Sequence, residues 1–334
     1  MFKYILKRIL MAVPVMLGIL TMVFMLMRVF APNPAWLLLG QEATGEKVAE
    51  LTAHLGLDQP LIVQYGKFLS QCLKGDFGTS LFTKQPVITE LMQRLPATVE
   101  LALVSVLISS ILGVLLGVVS AVRQYSVLDY ACQVGGLVGV SMPIFWTGLM
   151  LIIAFSVNLG WLPVSGRFAF DAKPETITGL MLLDSLLTGN LMAFKKCFSY
   201  IVLPAISLGI QSTATIMRYT RSAMLETIRQ DYIRTARAKG LHERLVINRH
   251  ALKNALIPIV TVIGMQLGGL LGGAVLTETI FAWPGVGTYI VNGINNSDYA
   301  VVQGGCVLVA LISVLMNLVV DVLYAYLDPR IRYS

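Results

Sequence analysis

The chain has 334 residues, of which 56% are hydrophobic and only 13% are charged, and its formal net charge is +7. Soluble domains carry about 25% charged residues, and here the apolar residues fall in long blocks, so the composition indicates a membrane protein rather than a soluble one. The positive charge reflects basic residues gathered on one side of the membrane, and it is not evidence for nucleic-acid binding.

Six apolar blocks are long enough to cross a bilayer as helices of roughly 20 residues. The first block follows three basic residues, as in a signal peptide, but it is longer than a signal peptide's apolar core. Because Pro32 follows the one residue suited to cleavage, Ala31, we expect a retained anchor helix, with cleavage as the less favoured alternative. The six blocks lie near residues 9–30, 99–122, 131–156, 199–217, 256–276 and 301–326.

Basic residues orient these spans, because Lys and Arg stay preferentially on the cytoplasmic side. With the N-terminus inside, the nine Lys and Arg residues between 218 and 254 lie inside, as do Arg330 and Arg332. The outer loop 277–300 then has no basic residue. Six spans with both termini cytoplasmic satisfy this pattern.

The segment 31–98 follows the first span on the outer side. Its stretch "LGLDQPLIVQYGKFLSQCLKGDFGTSL" (55–81) has turn signals on either side of a short amphipathic helix. We expect a small folded cap, with a plain linker as the alternative. The four cysteines lack metal-ligand spacing; Cys72 and Cys197 both fall in predicted outer loops, so a disulfide stays open beside the favoured reading of two free thiols.

Glycines at small-xxx-small spacing predict close helix packing in lipid. The second and third spans carry Gly113/Gly117 and Gly135/Gly139, and the fifth carries several overlapping pairs. Packing within the chain and contact with another subunit fit this pattern equally. The fifth-span glycines are Gly264, Gly268, Gly269, Gly272 and Gly273.

Few charged residues lie within the spans. Arg28, at the outer end of the first span, is expected to snorkel to the interface. Asn317 and Asp321 sit one turn apart in the sixth span, where a functional role and a packing role are both open. The outer segment "TETIFAWPGVGTYI" (277–290) predicts a helix-turn-helix broken at Pro284-Gly285.

Several catalytic and energy-coupling motifs are absent from the sequence. There is no phosphate-binding G-x-x-x-x-G-K-[S/T] loop, no H-E-x-x-H and no G-x-S-x-G. The spans also lack the buried mid-span acids and bases of a proton-driven carrier. We therefore expect no enzymatic activity in this chain, and energy supplied by a partner if it transports a solute.

The basic loop 218–255 reads "RYTRSAMLETIRQDYIRTARAKGLHERLVINRHALKNA". Apolar residues at helical spacing predict a helix before Gly240 and a second one after it. Gly240 is suited to the left-handed turn that ends a helix, and Lys239 suits the negative helix C-terminus. The small residues at this tip would fit a groove on a partner. A loop resting on anionic headgroups is the alternative, which the interspersed acids disfavour.

The loop resembles the coupling segment of ATP-binding-cassette importer permeases. Its variant "DYIRTARAKGL…RHALKNALIP" is typical of the dipeptide/oligopeptide/nickel permease family, although Arg234 and Thr235 replace the acid and the first alanine of the commoner E-A-A signature. Further matching stretches are "LGLDQPLIVQY", "GDFGTSL", "RLPATVELAL", "SMPIFWTGLML", "LGWLPVSGR", "TETIFAWPGVG", "DYAVVQGG" and "DPRIR". They cover nearly the whole chain, which is most similar to the first of the two permeases in such systems.

This resemblance implies an all-α membrane protein of type I importer architecture, in the bacterial inner membrane, with an extra outer segment after the first helix. Its parts would be an anchor helix (1–30), a periplasmic cap (31–98) and a five-helix permease core (99–334). The implied partners are a second homologous permease, two ATPase subunits that bind ATP and Mg²⁺, and a periplasmic substrate-binding protein; no cofactor is implied for this chain. The ATPase-coupling residues would be Arg234, Thr235, Ala236, Arg237, Ala238, Lys239, Gly240 and Leu241.

The resemblance favours import of dipeptides or short oligopeptides, with haem, nickel, glutathione or antimicrobial peptides as alternatives. The second to fifth spans and the 277–290 element would form the path, with Met142, Pro143 and Glu278 as candidate path residues and ordinary packing as the alternative for each. The outer loops 277–300 and 157–198 would contact the binding protein. A stand-alone secondary carrier and an intramembrane enzyme or receptor remain the competing classes.

Overall fold

The computed structural model describes residues 2–30, 34–40, 43–54, 56–169 and 174–327. Within these ranges the regular elements are helices, and one isolated antiparallel bridge joins Thr79 and Pro86. The expectations for Ala31, Arg330 and Arg332, and hence for cleavage and for the C-terminus, fall outside the described residues.

The helices follow one another in chain order. The first part of the chain forms α1 (Phe2–Met25), α2 (Pro34–Leu39), α3 (Gly45–His54), α4 (Leu61–Lys74), α5 (Val87–Val122), α6 (Val127–Ser141) and α7 (Ile144–Leu151). The second part forms α8 (Met181–Leu187), α9 (Leu191–Ile228), α10 (Asp231–Ala238), α11 (Glu243–Leu245), α12 (Lys253–Gly273), α13 (Val275–Ile280), α14 (Val286–Asn295) and α15 (Tyr299–Leu327). Three π-helical segments continue α1, α7 and α11: Leu26–Phe30, Ile152–Asn158 and Val246–Leu252.

Four helices are individually long and apolar enough to cross a membrane: Leu6–Val29, Val87–Val122, Leu191–Ile228 and Tyr299–Val322. Two pairs of consecutive helices, each bent at a short break, also qualify when taken together. The number of candidate spans rises to six if each pair is one span. The predicted span over 131–156 is not one continuous helix, because the chain bends by 106° between α6 and the α7 segment. Pro143 is the cause, since a residue before proline avoids helical angles, and Met142 is extended at φ −78° and ψ 130°.

The helices α5 and α9 are longer than the predicted spans 99–122 and 199–217. With 36 and 38 residues, they reach roughly 54 and 57 Å at 1.5 Å per residue, nearly twice a bilayer's hydrocarbon thickness of about 30 Å. Both therefore extend beyond the apolar layer. The start of α5 at Val87 also carries it into the segment assigned to the cap.

Glycines bring α5 and α9 into close contact, as the small-residue spacing predicts. A Cβ added at Gly113 would lie 2.8 Å from the Ile216 Cβ, and one at Gly117 would lie 2.5 Å from the Thr220 Cβ. Gly135, by contrast, has nothing within 4 Å of such an atom. The close approach of α6 to α9 instead occurs next to it in sequence, at Gly136.

In the fifth span, glycines spaced by one turn face α15. A Cβ at Gly264, Gly268 or Gly272 would lie 3.1–3.2 Å from side-chain atoms of α15. The neighbouring Gly269 has open space instead. This glycine row therefore serves packing within the chain. The α15 residues that face it are Val320, Asn317 and Ser313, respectively.

The first helix and the cap pack against α15. Near one end, Arg8 and Asp321 form an ion pair of 3.0 Å, which gives Asp321 a packing partner. Towards the other end, Phe24 stacks on Phe68 of α4 with ring centroids 5.7 Å apart. The helix α4 begins after Pro60 and ends at Lys74, before Gly75, which confirms the predicted helix between two turns. The cysteines are free thiols, so Cys72 and Cys197 are not linked.

Candidate functional site

The basic loop projects from one end of the bundle, which we call the basic end; the opposite end, with α2–α4, α13 and α14, is the cap end. The expected single helix before Gly240 is wrong, because α9 ends at Ile228 and α10 begins only at Asp231. Gln230 between them is extended at ψ 150°. Asp231 then occupies the first turn of α10, where the helix dipole favours an acid.

One face of α10 is buried against the chain's own core. Residues 243–255 lead back into the fifth span, and we call them the return segment. Ile233 is fully buried and Ala236 is nearly so, and both belong to a cluster with Met224 of α9 and with Val246 and Ala251 of the return segment. Burying apolar surface contributes roughly 25 cal/mol per Å². The cluster therefore fixes α10 to α9 and to the start of α12.

A glycine turn ends α10 as the sequence predicts. Gly240 has φ +74°, in the left-handed region. Its N–H donates to the Arg237 carbonyl at 2.9 Å, and the Leu241 N–H donates to the Ala236 carbonyl at 3.4 Å. These two bonds form a Schellman motif, which satisfies carbonyl groups at the end of the helix.

The opposite face of α10 and its turn are exposed. Arg237 is held by Glu243, with 2.7 Å between Nη2 and Oε1, and this hydrogen bond raises the pKa of Arg237. Arg234 lies 3.6 Å from Asp231, but both side chains are mostly exposed, so this pair contributes little. The exposed face of α10 therefore consists mostly of small and basic residues that a partner can reach. Its residues are Arg234, Thr235, Ala238, Lys239, Gly240 and Leu241.

The three candidate path residues lie on two different parts of the fold. Met142 is half-buried and Pro143 is exposed at the α6–α7 bend. Glu278 lies in α13 and is fully buried. The helix α7 packs against α13, so the bend and the α13–α14 hairpin belong to one packed region.

Glu278 holds the α13–α14 hairpin to α5. Thr98 of α5 donates its hydroxyl proton to Glu278 Oε1 at 2.6 Å, and the Thr288 N–H donates to Oε2 at 3.1 Å. Gly285 and Gly287 border the carboxylate so closely that an added Cβ on either would overlap it. The predicted turn at Pro284-Gly285 therefore leaves space for a buried acid.

The aromatic turn between α13 and α14 is also held to α5 by a hydrogen bond. Trp283 is 1% exposed, and its indole N–H donates to the Ala97 carbonyl at 2.9 Å. Ala282 has φ +46°, a left-handed angle that side chains other than glycine rarely adopt. Buried neighbours on both sides hold this conformation, since Phe281 is also 1% exposed.

A buried ion pair that sequence reasoning missed lies beside this turn. Arg167 Nε lies 3.0 Å from Glu100 Oε2, and both side chains are at most 7% exposed. The guanidinium also donates to the Gly179 carbonyl at 2.7 Å and lies over the Trp283 ring. The pair fastens the loop after α7 to α5. The available signal was a lone acid in the apolar stretch "ATVELALV".

Asp184 of α8 organises another part of that loop. Its carboxylate accepts hydrogen bonds from the backbone N–H groups of Ile177, Thr178 and Gly179. Burial raises the pKa of Asp184, but these bonds and the Thr178 hydroxyl outweigh burial and hold the pKa below its ordinary value. These bonds therefore hold residues 177–184 of this loop in a defined conformation.

A second missed ion pair lies towards the basic end. Arg221 of α9 makes two bonds to Asp129 of α6, at 2.8 and 2.9 Å. Asp129 is fully buried and also accepts from Ser120 of α5 and from Gln133. Three helices therefore meet at one carboxylate, one turn of α9 before the buried Met224 that supports α10.

The comparisons with known proteins agree with this architecture. The model described as "Binding-protein-dependent transport system inner membrane component" matches residues 113–333, and a model for the N-terminal part of such membrane components matches residues 1–102. The chain belongs to this family, and it is a permease subunit of an ATP-binding-cassette importer.

Individual relatives match over the full length. The dipeptide transport system permease protein DppB of Alkalihalophilus pseudofirmus is 46% identical, and the di/tripeptide permease DppB of Pseudomonas aeruginosa is 45% identical, each alignment covering 100% of both chains. The oligopeptide permease AppB of Bacillus subtilis is 39% identical with the same coverage. A solved structure of the MetNI methionine ABC transporter, in an inward-facing conformation, matches at a TM-score of 0.52. That match covers 71% of this chain and 96% of the other at 18% identity, and it shows a shared fold.

Proposed function

We propose that this chain forms half of the translocation path of an importer for dipeptides or short oligopeptides. It would pair with a second homologous permease in the bacterial inner membrane, with the basic end in the cytoplasm and the cap end in the periplasm. The single observation that carries the coupling role is the exposed turn at Gly240 on a helix whose other face is buried. The names of the full-length relatives support the peptide substrate.

The coupling role follows from how α10 packs against the rest of the chain. The exposed residues from Arg234 to Leu241 would occupy a cleft on one of two ATPase subunits, which bind ATP and Mg²⁺. Ile233 and Ala236 are buried against α9 and the return segment, so a displacement of α10 would move α9 and the start of α12. ATP hydrolysis on the partners would thereby drive alternating access in this chain.

The path itself would run along the second to fifth spans and the α13–α14 hairpin. Met142 and Pro143 mark a bend in this wall, where the backbone leaves the helix. Glu278 is buried within the subunit, so it would shape the wall by holding the hairpin. The loops at the cap end, 157–198 and 277–300, would receive the periplasmic binding protein.

Copurification and reconstitution test this function together. Extraction in mild detergent should recover the chain with a second permease and two ATPase subunits. In proteoliposomes that complex should take up a labelled dipeptide only with ATP and the binding protein present. Uptake by the chain alone, driven by an ion gradient, would instead identify a secondary carrier.

The substrate class needs a separate measurement. Unlabelled dipeptides and tripeptides should compete with the labelled dipeptide for uptake. Nickel, haem, glutathione and an antimicrobial peptide should not compete at the same concentrations. Competition by one of these, with none from short peptides, would assign that substrate instead.

A further inference from the structure

A groove at the basic end lies between the last turns of α5 and the segment that returns to α12. It has a volume of about 400 Å³ and is distinct from the exposed tip of α10. Three valines and two arginines are among its lining residues. The lining includes Val118, Val119, Val122, Arg123, Arg244 and Ile247.

The two arginines give the groove a net positive charge. Both Arg123 and Arg244 are exposed, and in the part of the chain that the structure describes neither guanidinium has a carboxylate partner. Glu243 also lines the groove, but its charge is matched by Arg237 at 2.7 Å. Two exposed guanidinium groups at the groove are therefore available to an anion.

The three valines are part of the apolar surface of α5. Val119 and Val122 are 41% and 44% exposed, and Leu115, one turn earlier, is 58% exposed. The apolar helix ends at Val122 and Arg123 follows directly. A molecule in the groove would thus meet exposed apolar side chains of α5 as well as two guanidinium groups.

We propose that this groove binds an anionic phospholipid. Its phosphate would lie between Arg123 and Arg244, because a guanidinium matches phosphate oxygens with paired N–H donors. One acyl chain would follow Val118, Val119 and Val122 towards the bilayer. A soluble anion or a partner's carboxylate would use the arginines but leave the valines uncovered.

The site requires only that α5 be inserted in the membrane, so it does not depend on the proposed substrate or on the ATPase. Arg244 and Ile247 belong to the segment that packs under α10. A bound lipid would therefore connect the headgroup layer to the support of the coupling helix. Loss of the lipid would leave the fold of α10 intact but remove a contact of the segment that supports α10.

Native mass spectrometry of the purified full-length chain tests the proposal. In detergent with equal amounts of phosphatidylglycerol and phosphatidylcholine of matched acyl chains, the chain should retain phosphatidylglycerol preferentially. The pair Arg123→Gln and Arg244→Gln should lower that preference roughly 30-fold, at about 1 kcal/mol for each basic residue. The control pair Arg249→Gln and Lys253→Gln removes the same charge from exposed positions on the same return segment and should keep the preference. If the two double variants retained phosphatidylglycerol with the same preference, the proposed site would be refuted.

A competition on the unmodified chain separates a lipid from a soluble anion without depending on how the variants fold. Glycerophosphoglycerol, which has the headgroup and no acyl chains, should displace phosphatidylglycerol at least tenfold less well than a short-chain phosphatidylglycerol does, because it leaves the valines uncovered. Displacement at equal concentrations by the two competitors would show an anion site without a lipid groove, and it would refute the proposal.

Discussion

At the scale of single residues, Gly240 is constrained by its own backbone conformation, and it lies at the proposed contact with a partner. Among the residues that the structure describes, no atom lies within 4 Å of a Cβ added there, but the residue has φ +74°. An ordinary side chain in this region costs about 1–2 kcal/mol, which lowers the population of the native turn by roughly 5–30-fold. Gly240→Glu adds bulk and charge at the proposed contact.

We expect Gly240→Glu to reduce dipeptide uptake by at least tenfold while the chain is still expressed and still assembles with its partners. Gly240→Asn is the matched control, since asparagine tolerates the left-handed region, and it should retain most of the uptake. The measurement is ATP-dependent uptake in proteoliposomes. Normal uptake by the glutamate variant in an intact complex would rule out the coupling role of this turn.

Gly285 is required for a different reason, which is close packing. A Cβ at this position would overlap the buried Glu278 carboxylate, which is held by Thr98 and Thr288. Overpacking of this kind typically costs about 1–3 kcal/mol. Gly285→Ala should therefore lower the Tm of the purified chain, whereas Gly269→Ala, with nothing within 4 Å, should leave it unchanged. Equal Tm values for the two variants would contradict the packing argument.

At the scale of elements, the ion pair between Asp129 and Arg221 joins α6 to α9. Removing one partner leaves a buried charge uncompensated, which costs about 3–5 kcal/mol in a buried pair; the lower end applies here because Arg221 is 21% exposed. Arg221→Met should thus lower the Tm substantially. The double variant Asp129→Asn with Arg221→Met should be more stable than Arg221→Met alone, and a double variant that is less stable would show that the charge is not the cause.

The limits of sequence reading are also visible at this scale. The amphipathic helix α4, the turn at Gly240 and the α13–α14 hairpin each depend on local signals, and the sequence predicts all three. The bend at Pro143 was missed because the apolar block 131–156 continues through it. The partners in the two buried ion pairs are separated by 67 and 92 residues along the chain, so no local pattern connects them.

At the scale of the whole molecule, the two ends of the bundle differ in charge and in structure. The long helices α5 and α9 extend past the apolar layer, and α10 lies beyond α9 at the basic end. The cap helices lie at the other end, where Phe68 of α4 packs on Phe24. The sequence supplies the order of spans and this asymmetry of charge. The close approach of α5 to α9 at Gly113 and Gly117 agrees with the small-residue spacing, but spacing alone does not identify Ile216 and Thr220 as the facing residues.

Cysteine labelling of intact cells tests the orientation that this asymmetry predicts, because basic residues remain on the cytoplasmic side. In a chain whose four cysteines are replaced by serine or alanine, Ile62→Cys introduces a thiol in the cap helix α4, where the native side chain is 80% exposed. Thr235→Cys introduces one on the exposed face of α10. A membrane-impermeant maleimide should label the cap position in cells whose inner membrane is intact and whose outer barrier has been opened. It should label position 235 only after the inner membrane is permeabilised, and docked ATPase subunits should slow that reaction. Labelling in the reverse order would invert the topology and remove the basis for placing the ATPases at α10.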